Sequence, residues 1–121
     1  MNPLDLFSEQ GDYFWCVVQS RVGEVDVSID RTELNNGALD LLQRLITNLD
    51  STLDSSIHFF DTVKSRYAIE YIDDLKAPRA VVSRSGFCIF WSSSVGDRRG
   101  DATAGVDFNT RFEPIDLSIG D

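Results

Sequence analysis

The sequence contains few of the side chains that most often hold metal ions or act as nucleophiles and bases. It has one histidine, His58, two cysteines, Cys16 and Cys88, and no CxxC pair. Because a structural zinc site normally takes four nitrogen or sulfur ligands, we predict no metal site. Both cysteines lie in apolar runs, which disfavour the reactive thiolate. We therefore predict no catalytic residue, no cofactor and no enzymatic activity.

Sequence motifs for phosphate and calcium are missing as well. There is no GxGxxG, and residues 96–100, Gly-Asp-Arg-Arg-Gly, lack the Lys-Ser/Thr ending of a P-loop. Asp26, Ser28 and Asp30 alternate as the first ligands of an EF-hand loop do. However, Arg31 stands where that loop requires glycine, so we do not infer a calcium site.

Long apolar runs are also absent. The longest, residues 13–18 and 87–91, are far shorter than the ~20 residues that a membrane-spanning helix needs. The first five residues have neither the basic start nor the apolar core of an export signal. We therefore predict a cytoplasmic protein without a membrane partner, in which Cys16 and Cys88 are free, buried thiols.

Positive charge is scarce, above all in the first half of the chain. The formal net charge is −9, and residues 1–63 carry 11 carboxylates against three arginines, a net of −8. Such a field repels phosphate backbones, which argues against direct nucleic-acid binding, and attracts a basic partner. The alternative, that the acidity only keeps the protein soluble, remains open.

Two strands are predicted near the start of the chain. Residues 13–19 are aromatic and β-branched, as in a strand that is buried on both faces. Residues 24–30 alternate strictly: Val25, Val27 and Ile29 point to one side and the polar residues to the other. The two segments predict a hairpin, and we expect its second strand to lie at a sheet edge with its carboxylates in solvent.

The middle of the chain has helical periodicity. Apolar residues recur at steps of three and four over 38–53, which predicts a helix whose stripe faces the core. The stripe consists of Leu39, Leu42, Ile46, Leu49 and Leu53. Asp54-Ser55-Ser56 interrupts the pattern, and residues 57–65 favour a second helix. Residues 66–72 fit a helix or a strand equally.

The second half of the chain again has strand character. Residues 79–84 and 87–92 predict a second hairpin, whose apolar second strand belongs in the middle of the sheet. The polar, glycine-containing residues 93–105 predict a loop, and 106–112 a further strand. The tail from Glu113 has apolar residues in period two and is expected to pair at a sheet edge.

These elements predict an α+β fold, in which an antiparallel sheet of four to six strands has one or two helices packed on one face. The length suits a single domain over residues 1–121. Residues 1–12 and 113–121 are expected to be loosely ordered at its ends.

The excess of carboxylates favours a non-catalytic protein-binding domain with a basic protein partner. The candidate partner-binding residues are Glu24, Asp26, Asp30, Asp40, Asp50 and Asp54. In size, charge and fold class the chain is similar to bacterial immunity proteins, which neutralise toxic nucleases. This similarity implies an acidic inhibitor of a toxin, and it covers these general properties only.

Two other functions remain open at this stage. One is a structural or regulatory domain that self-associates as a homodimer through a strand edge. The other is a small-molecule binder or enzyme. The carboxylates on 24–30 also have an ordinary interpretation, because charged side chains keep an edge strand from aggregating.

Overall fold

The fold is a single sheet with two helices on one side, described in a computed structural model over residues 8–67, 74–93 and 102–120. Within these ranges seven strands lie side by side in chain order. The elements are β1 Ser8–Gln10, β2 Tyr13–Ser20, β3 Gly23–Asp30, α1 Asn36–Thr47, α2 Leu49–Val63, β4 Lys76–Ser83, β5 Gly86–Ser93, β6 Ala102–Asn109 and β7 Pro114–Gly120. The predicted α+β class is confirmed, and the sheet has one strand more than the four to six expected.

The sheet is antiparallel except between β3 and β4, which are parallel. Parallel neighbours need a long crossover, and α1 and α2 supply it. The additional strand is β1, which lies in the segment expected to be loosely ordered. It pairs with residues 13–15 across a tight turn at Gly11, whose φ of 59° suits glycine.

The predicted hairpin of β2 and β3 is confirmed, but β3 is not an edge strand. It pairs with β2 on one side and with β4 on the other, where Asp26 lies opposite Arg79. The alternation of residues 24–30 therefore indicates that one face of the sheet is polar, and it does not indicate that β3 lies at an edge. The prediction that β2 is buried on both faces is also wrong, because Tyr13 and Val17 are exposed.

The single helix predicted over 38–53 is two helices that meet at Asn48. Asn48 leaves helical geometry at φ −113° and ψ 27°, and its side-chain amide donates to the Arg44 carbonyl at 2.8 Å. The second helix starts at Leu49 rather than residue 57, so Asp54-Ser55-Ser56 lies inside it. The first helix is capped at Asn35, whose Oδ1 accepts from the Ala38 N–H at 2.7 Å.

The second half follows the predicted order with shifted boundaries. The β4–β5 hairpin is confirmed, but β6 begins at Ala102 and ends at Asn109, earlier than predicted. Of the predicted loop, Ser93 and residues 102–105 are strand, and 94–101 lie outside the described residues. The end of the chain forms β7.

The undecided segment over residues 66–72 is only partly described. Its first two residues, Arg66 and Tyr67, end a 3-10 turn that follows α2, and residues 68–72 lie outside the described residues.

The hydrophobic core lies between the helices and one face of the sheet. Alternate strand residues, such as Val27, Ile89 and Val106, are fully buried against apolar residues of both helices. In this arrangement α1 contacts β4, while α2 contacts β6 and β7. None of the helices in the described ranges is long and apolar enough to cross a membrane.

Candidate functional site

The side of the sheet opposite the helices carries a mixed aromatic and acidic surface, which we call the open face. Because side chains alternate along a strand, the neighbours of the core residues all point to this side. The described helices lie on the other side, and Tyr13, Val17 and Val81 are exposed at 41%, 43% and 39%. The open face consists of Tyr13, Trp15, Val17, Glu24, Asp26, Ser28, Asp30, Arg79, Val81, Cys88, Phe90 and Asp107.

Strand register brings residues from distant parts of the sequence together on the open face. Trp15 pairs with Ser28 on β3, and Ser28 pairs with Val81 on β4. The next row joins Asp26 to Arg79. The parallel β3–β4 junction is the key step, because it places residues about 50 positions apart next to each other.

A shallow concavity of about 490 Å³ lies over these rows. Its lining includes two aromatic rings, Tyr13 and Trp15, and two carboxylates, Asp26 and Asp30. Arg79 completes the lining on the β4 side. On such a surface, a single side chain of a bound partner can contact the aromatic rings and the carboxylates at the same time.

The carboxylates of the open face differ in their surroundings. Asp30 accepts hydrogen bonds from the hydroxyl and backbone N–H of Thr32, at 2.7 and 2.8 Å, and these bonds lower its pKa. Within the described ranges, neither Glu24 nor Asp26 has a side-chain hydrogen bond or ion pair. The Arg79 guanidinium lies over the Phe90 ring, 4.9 Å from its centroid. Glu24 and Asp26 therefore remain available to a partner.

The six candidate binding residues fall on two sides of the molecule. Three of them, Glu24, Asp26 and Asp30, share the open face. The other three lie on the helices, where Asp50 and Asp54 both bind Arg21 in the β2–β3 turn. The sixth, Asp40, lies 3.8 Å from Arg44 one turn later on α1. The helix carboxylates thus already have cations of this chain beside them, and the two groups do not form one surface.

The apolar half of this site was not predicted from the sequence. Tyr13, Trp15 and Val17 were assigned to a strand with two buried faces, although every second residue of it points to the open face. Arg79 and Val81 belong to β4, about 50 residues after the β3 residues with which they pair, and nothing in their own segment of sequence pointed to the site. The polar side chains of β3 do indicate that the adjacent strands, β2 and β4, face solvent on the same side of the sheet. This was the one feature of the sequence from which the site could have been predicted.

The two cysteines have different surroundings. Both are free: Cys16 is buried on the core side, while Cys88 is only half-buried and lies on the open face. Burial makes the largest contribution to raising the pKa of Cys88. The hydrogen bond with Asp107 and the negative charge of Asp107 raise this pKa further, while the positive charge of Arg79 lowers it. A thiol that resists ionisation is a poor nucleophile.

The described residues contain no group of three or more His, Cys, Asp and Glu side chains that could hold a metal ion. His58, the one histidine of the sequence, is exposed on α2, on the helix side of the sheet. Comparison with protein-family models, curated proteins and solved structures finds no match to this chain. The geometry of the open face is therefore the basis for a functional proposal.

Proposed function

We propose that this protein is a non-catalytic binding domain that takes a basic protein partner on its open face. One observation carries the proposal: two aromatic rings and two carboxylates line the same concavity, on the neighbouring strands β2 and β3 and on the side of the sheet that no described helix covers. Aromatic residues in such positions supply most of the contact energy at protein interfaces, and the carboxylates select the charge of the partner.

An arginine side chain of the partner fits the chemistry of the concavity. Its guanidinium can lie on the face of Trp15 or Tyr13 and form a bidentate pair with Asp26 or Asp30. Lysine offers only a point charge and lacks the planar stacking surface. We therefore expect a preference for arginine over lysine in the segment that enters the concavity.

Long-range charge favours the same partner. With a net charge of −9, the protein attracts a cationic surface before contact, and this attraction speeds association at low salt. Toxin nucleases present such surfaces, because they bind phosphate backbones with lysine and arginine. From these general properties we propose, more specifically, that the protein is an acidic inhibitor of the bacterial immunity type that acts in the cytoplasm.

The binding test uses two 12-residue peptides, one with four arginines and the other with four lysines in their place. Their binding is followed through the indole N–H signals of Trp15 and Trp91 in a ¹⁵N-labelled sample. Trp91 is buried, and its indole donates to Ser56, so its signal serves as an internal control. We expect the Trp15 signal alone to shift, and binding to weaken steeply with salt, since the Debye length falls from about 10 Å at 0.1 M to about 3 Å at 1 M.

Two double variants with equal charge changes locate the site. Asp26→Asn with Asp30→Asn should weaken arginine-peptide binding about tenfold, since it removes both carboxylates of the concavity. Asp50→Asn with Asp54→Asn removes the same charge from the helix side, beside Arg21, and should leave binding within about twofold. Equal losses in the two variants, or a shift of the Trp91 signal without one of the Trp15 signal, would contradict the proposed site.

A further inference from the structure

The two edges of the sheet are built differently. At one edge, β1 has three residues, and its central residue, Glu9, forms an ion pair with Arg31. At the other edge, β7 has seven residues, and no strand of the described part of the chain pairs with its outer side. Short strands and charged side chains are the ordinary protection of a sheet edge, whereas β7 is long and carries a single charge, on Asp116. Pro114 and the shift of register beside it protect only the first two residues of the strand.

The side chains of β7 leave apolar surface at this edge. Leu117 and Ile119 lie on the core side of the sheet, opposite Val106 and Ala104, and Ile115 lies two residues earlier, at the register shift between β6 and β7. Of these three residues of β7, only Leu117 is buried. Ile115 is 59% exposed and Ile119 is 37% exposed. The one charged residue of the strand, Asp116, points to the other side. An edge with unpaired backbone groups and two exposed isoleucines is suited to pairing with another strand.

We propose that β7 pairs antiparallel with β7 of a second copy of this chain, about a twofold axis at Leu117. In this register each of the seven residues lies opposite a residue of the other strand, because Leu117 is the central residue of Pro114–Gly120, although Pro114 has no N–H to donate. Ile115 of each copy lies opposite Ile119 of the other copy. The exposed isoleucines therefore cover each other on both sides of the two Leu117 side chains. A twofold interface requires this kind of self-complementarity.

The charges of β7 favour the same register. With the axis at Leu117, each Asp116 lies opposite Ser118 of the second copy, so no carboxylate faces another directly. Moving the axis by one residue to Asp116 would set the two carboxylates opposite each other, which is destabilising in a sheet. It would also leave the strand ends unpaired. Charge and length therefore select one register.

The size of the contact sets the expected affinity. Seven residues a side are fewer than the roughly 20–30 of a standard interface, so the dimer should be weak and transient. Each copy carries a net charge of −9, and this repulsion is screened by salt. Dimerisation should therefore strengthen as salt rises, whereas binding of a basic partner should weaken. The two proposals can fail independently of each other.

Sedimentation velocity from about 10 µM to 1 mM, at 0.05 and 0.5 M NaCl, tests for the dimer. Ile115→Lys with Ile119→Lys should weaken it at least about tenfold, because each lysine then faces a lysine of the second copy. Ile115→Lys with Ile119→Glu places opposite charges across the axis and should restore dimerisation at low salt. Val22→Lys, at an exposed residue of the β2–β3 turn, is the control and should leave dimerisation unchanged.

Three results would overturn the proposal. The protein could remain monomeric over the whole concentration range. A dimer could form but ignore the double lysine variant, which would place the contact elsewhere. Finally, if the lysine–glutamate variant dimerised no better than the double lysine variant, the register about Leu117 would be wrong. Circular dichroism of each variant separates these results from a loss of folding.

Discussion

The indole N–H of Trp91 donates a 2.8 Å hydrogen bond to the hydroxyl of Ser56. Trp91 lies on β5 and Ser56 on α2, and both are almost completely buried. The same hydroxyl donates to the Leu53 carbonyl one turn earlier, at 2.7 Å. Each polar atom of the pair is thus satisfied inside the core, and the contact holds α2 against β5.

Replacing Ser56 with alanine should lower the free energy of unfolding by about 1–3 kcal/mol, because the buried Trp91 N–H would lose its acceptor. Ser55→Ala is the control: its side chain is partly exposed, and we expect a change within ~0.5 kcal/mol. Urea unfolding, followed by circular dichroism, measures both values. Equal effects of the two substitutions would show that the hydrogen bond contributes nothing to stability.

The same serine explains why the helix boundaries could not be predicted. Serine is common at helix starts and breaks, so Asp54-Ser55-Ser56 suggested an interruption. In the fold Ser56 is tolerated in the middle of a helix because its hydroxyl accepts a hydrogen bond from the indole N–H of Trp91, 35 residues later. Local sequence carries no record of such a partner. The break at Asn48 was hidden for the opposite reason, since apolar residues continue at helical spacing through it.

For the sheet, too, the local sequence predicted which residues are buried but not which strands are neighbours. Strict alternation on 24–30 was enough to predict which residues of β3 enter the core, and Val25, Val27 and Ile29 are all fully buried. The neighbours of a strand are a matter of topology, however. That β4 lies beside β3, and brings Arg79 next to Asp26, follows from the helical crossover and not from either segment alone.

The first helix gives a direct test of the corrected packing. The predicted stripe included Ile46, but this residue is only half-buried, whereas Leu45 is fully buried. Leu45→Ala should therefore cost about 2–5 kcal/mol of unfolding free energy, through lost burial and the cavity left behind. Ile46→Ala, the matched control, should cost less than half as much. The reverse order in urea unfolding would show that the stripe is rotated from the described position.

Gly86, at the start of β5, is held in a conformation that a side chain would strain. Its φ is 152°, and an added Cβ would collide with the Phe108 carbonyl on β6, with the Phe108 carbonyl carbon at 3.1 Å and the Asn109 Cα at 3.2 Å. We expect Gly86→Ala to destabilise the protein by at least about 1–3 kcal/mol, because the backbone must move.

The control for Gly86 is the glycine in the first turn of α1. At Gly37 an added Cβ would meet only the Asn35 side-chain oxygen, at an ordinary 3.5 Å. Gly37→Ala should be neutral or stabilising by up to about 1 kcal/mol, since alanine is the better helix former. Urea midpoints of the two variants decide the point, and a harmless Gly86→Ala would mean that β5 and β6 are further apart than described.

Cys88 provides a pH-dependent test of the open face. Burial, then the hydrogen bond to Asp107 and its charge, raise the pKa of this thiol, so little thiolate forms near neutral pH. Iodoacetamide labelling of Cys88, located by peptide mass spectrometry, should be much slower in native than in unfolded protein. Its rate should still rise about tenfold per pH unit from pH 8 to 10, where an ordinary thiol levels off near pH 9.

The carboxylate of Asp107 can be separated from burial by substitution. Asp107→Asn removes a negative charge beside the thiol, which lowers the pKa of Cys88 and should raise its labelling rate about threefold or more at pH 8. Asp116→Asn removes the same charge from β7, one strand further away, and should leave the rate nearly unchanged. If both variants label alike, the low reactivity comes from burial alone. A rate that levels off near pH 9 would instead place Cys88 in open solvent.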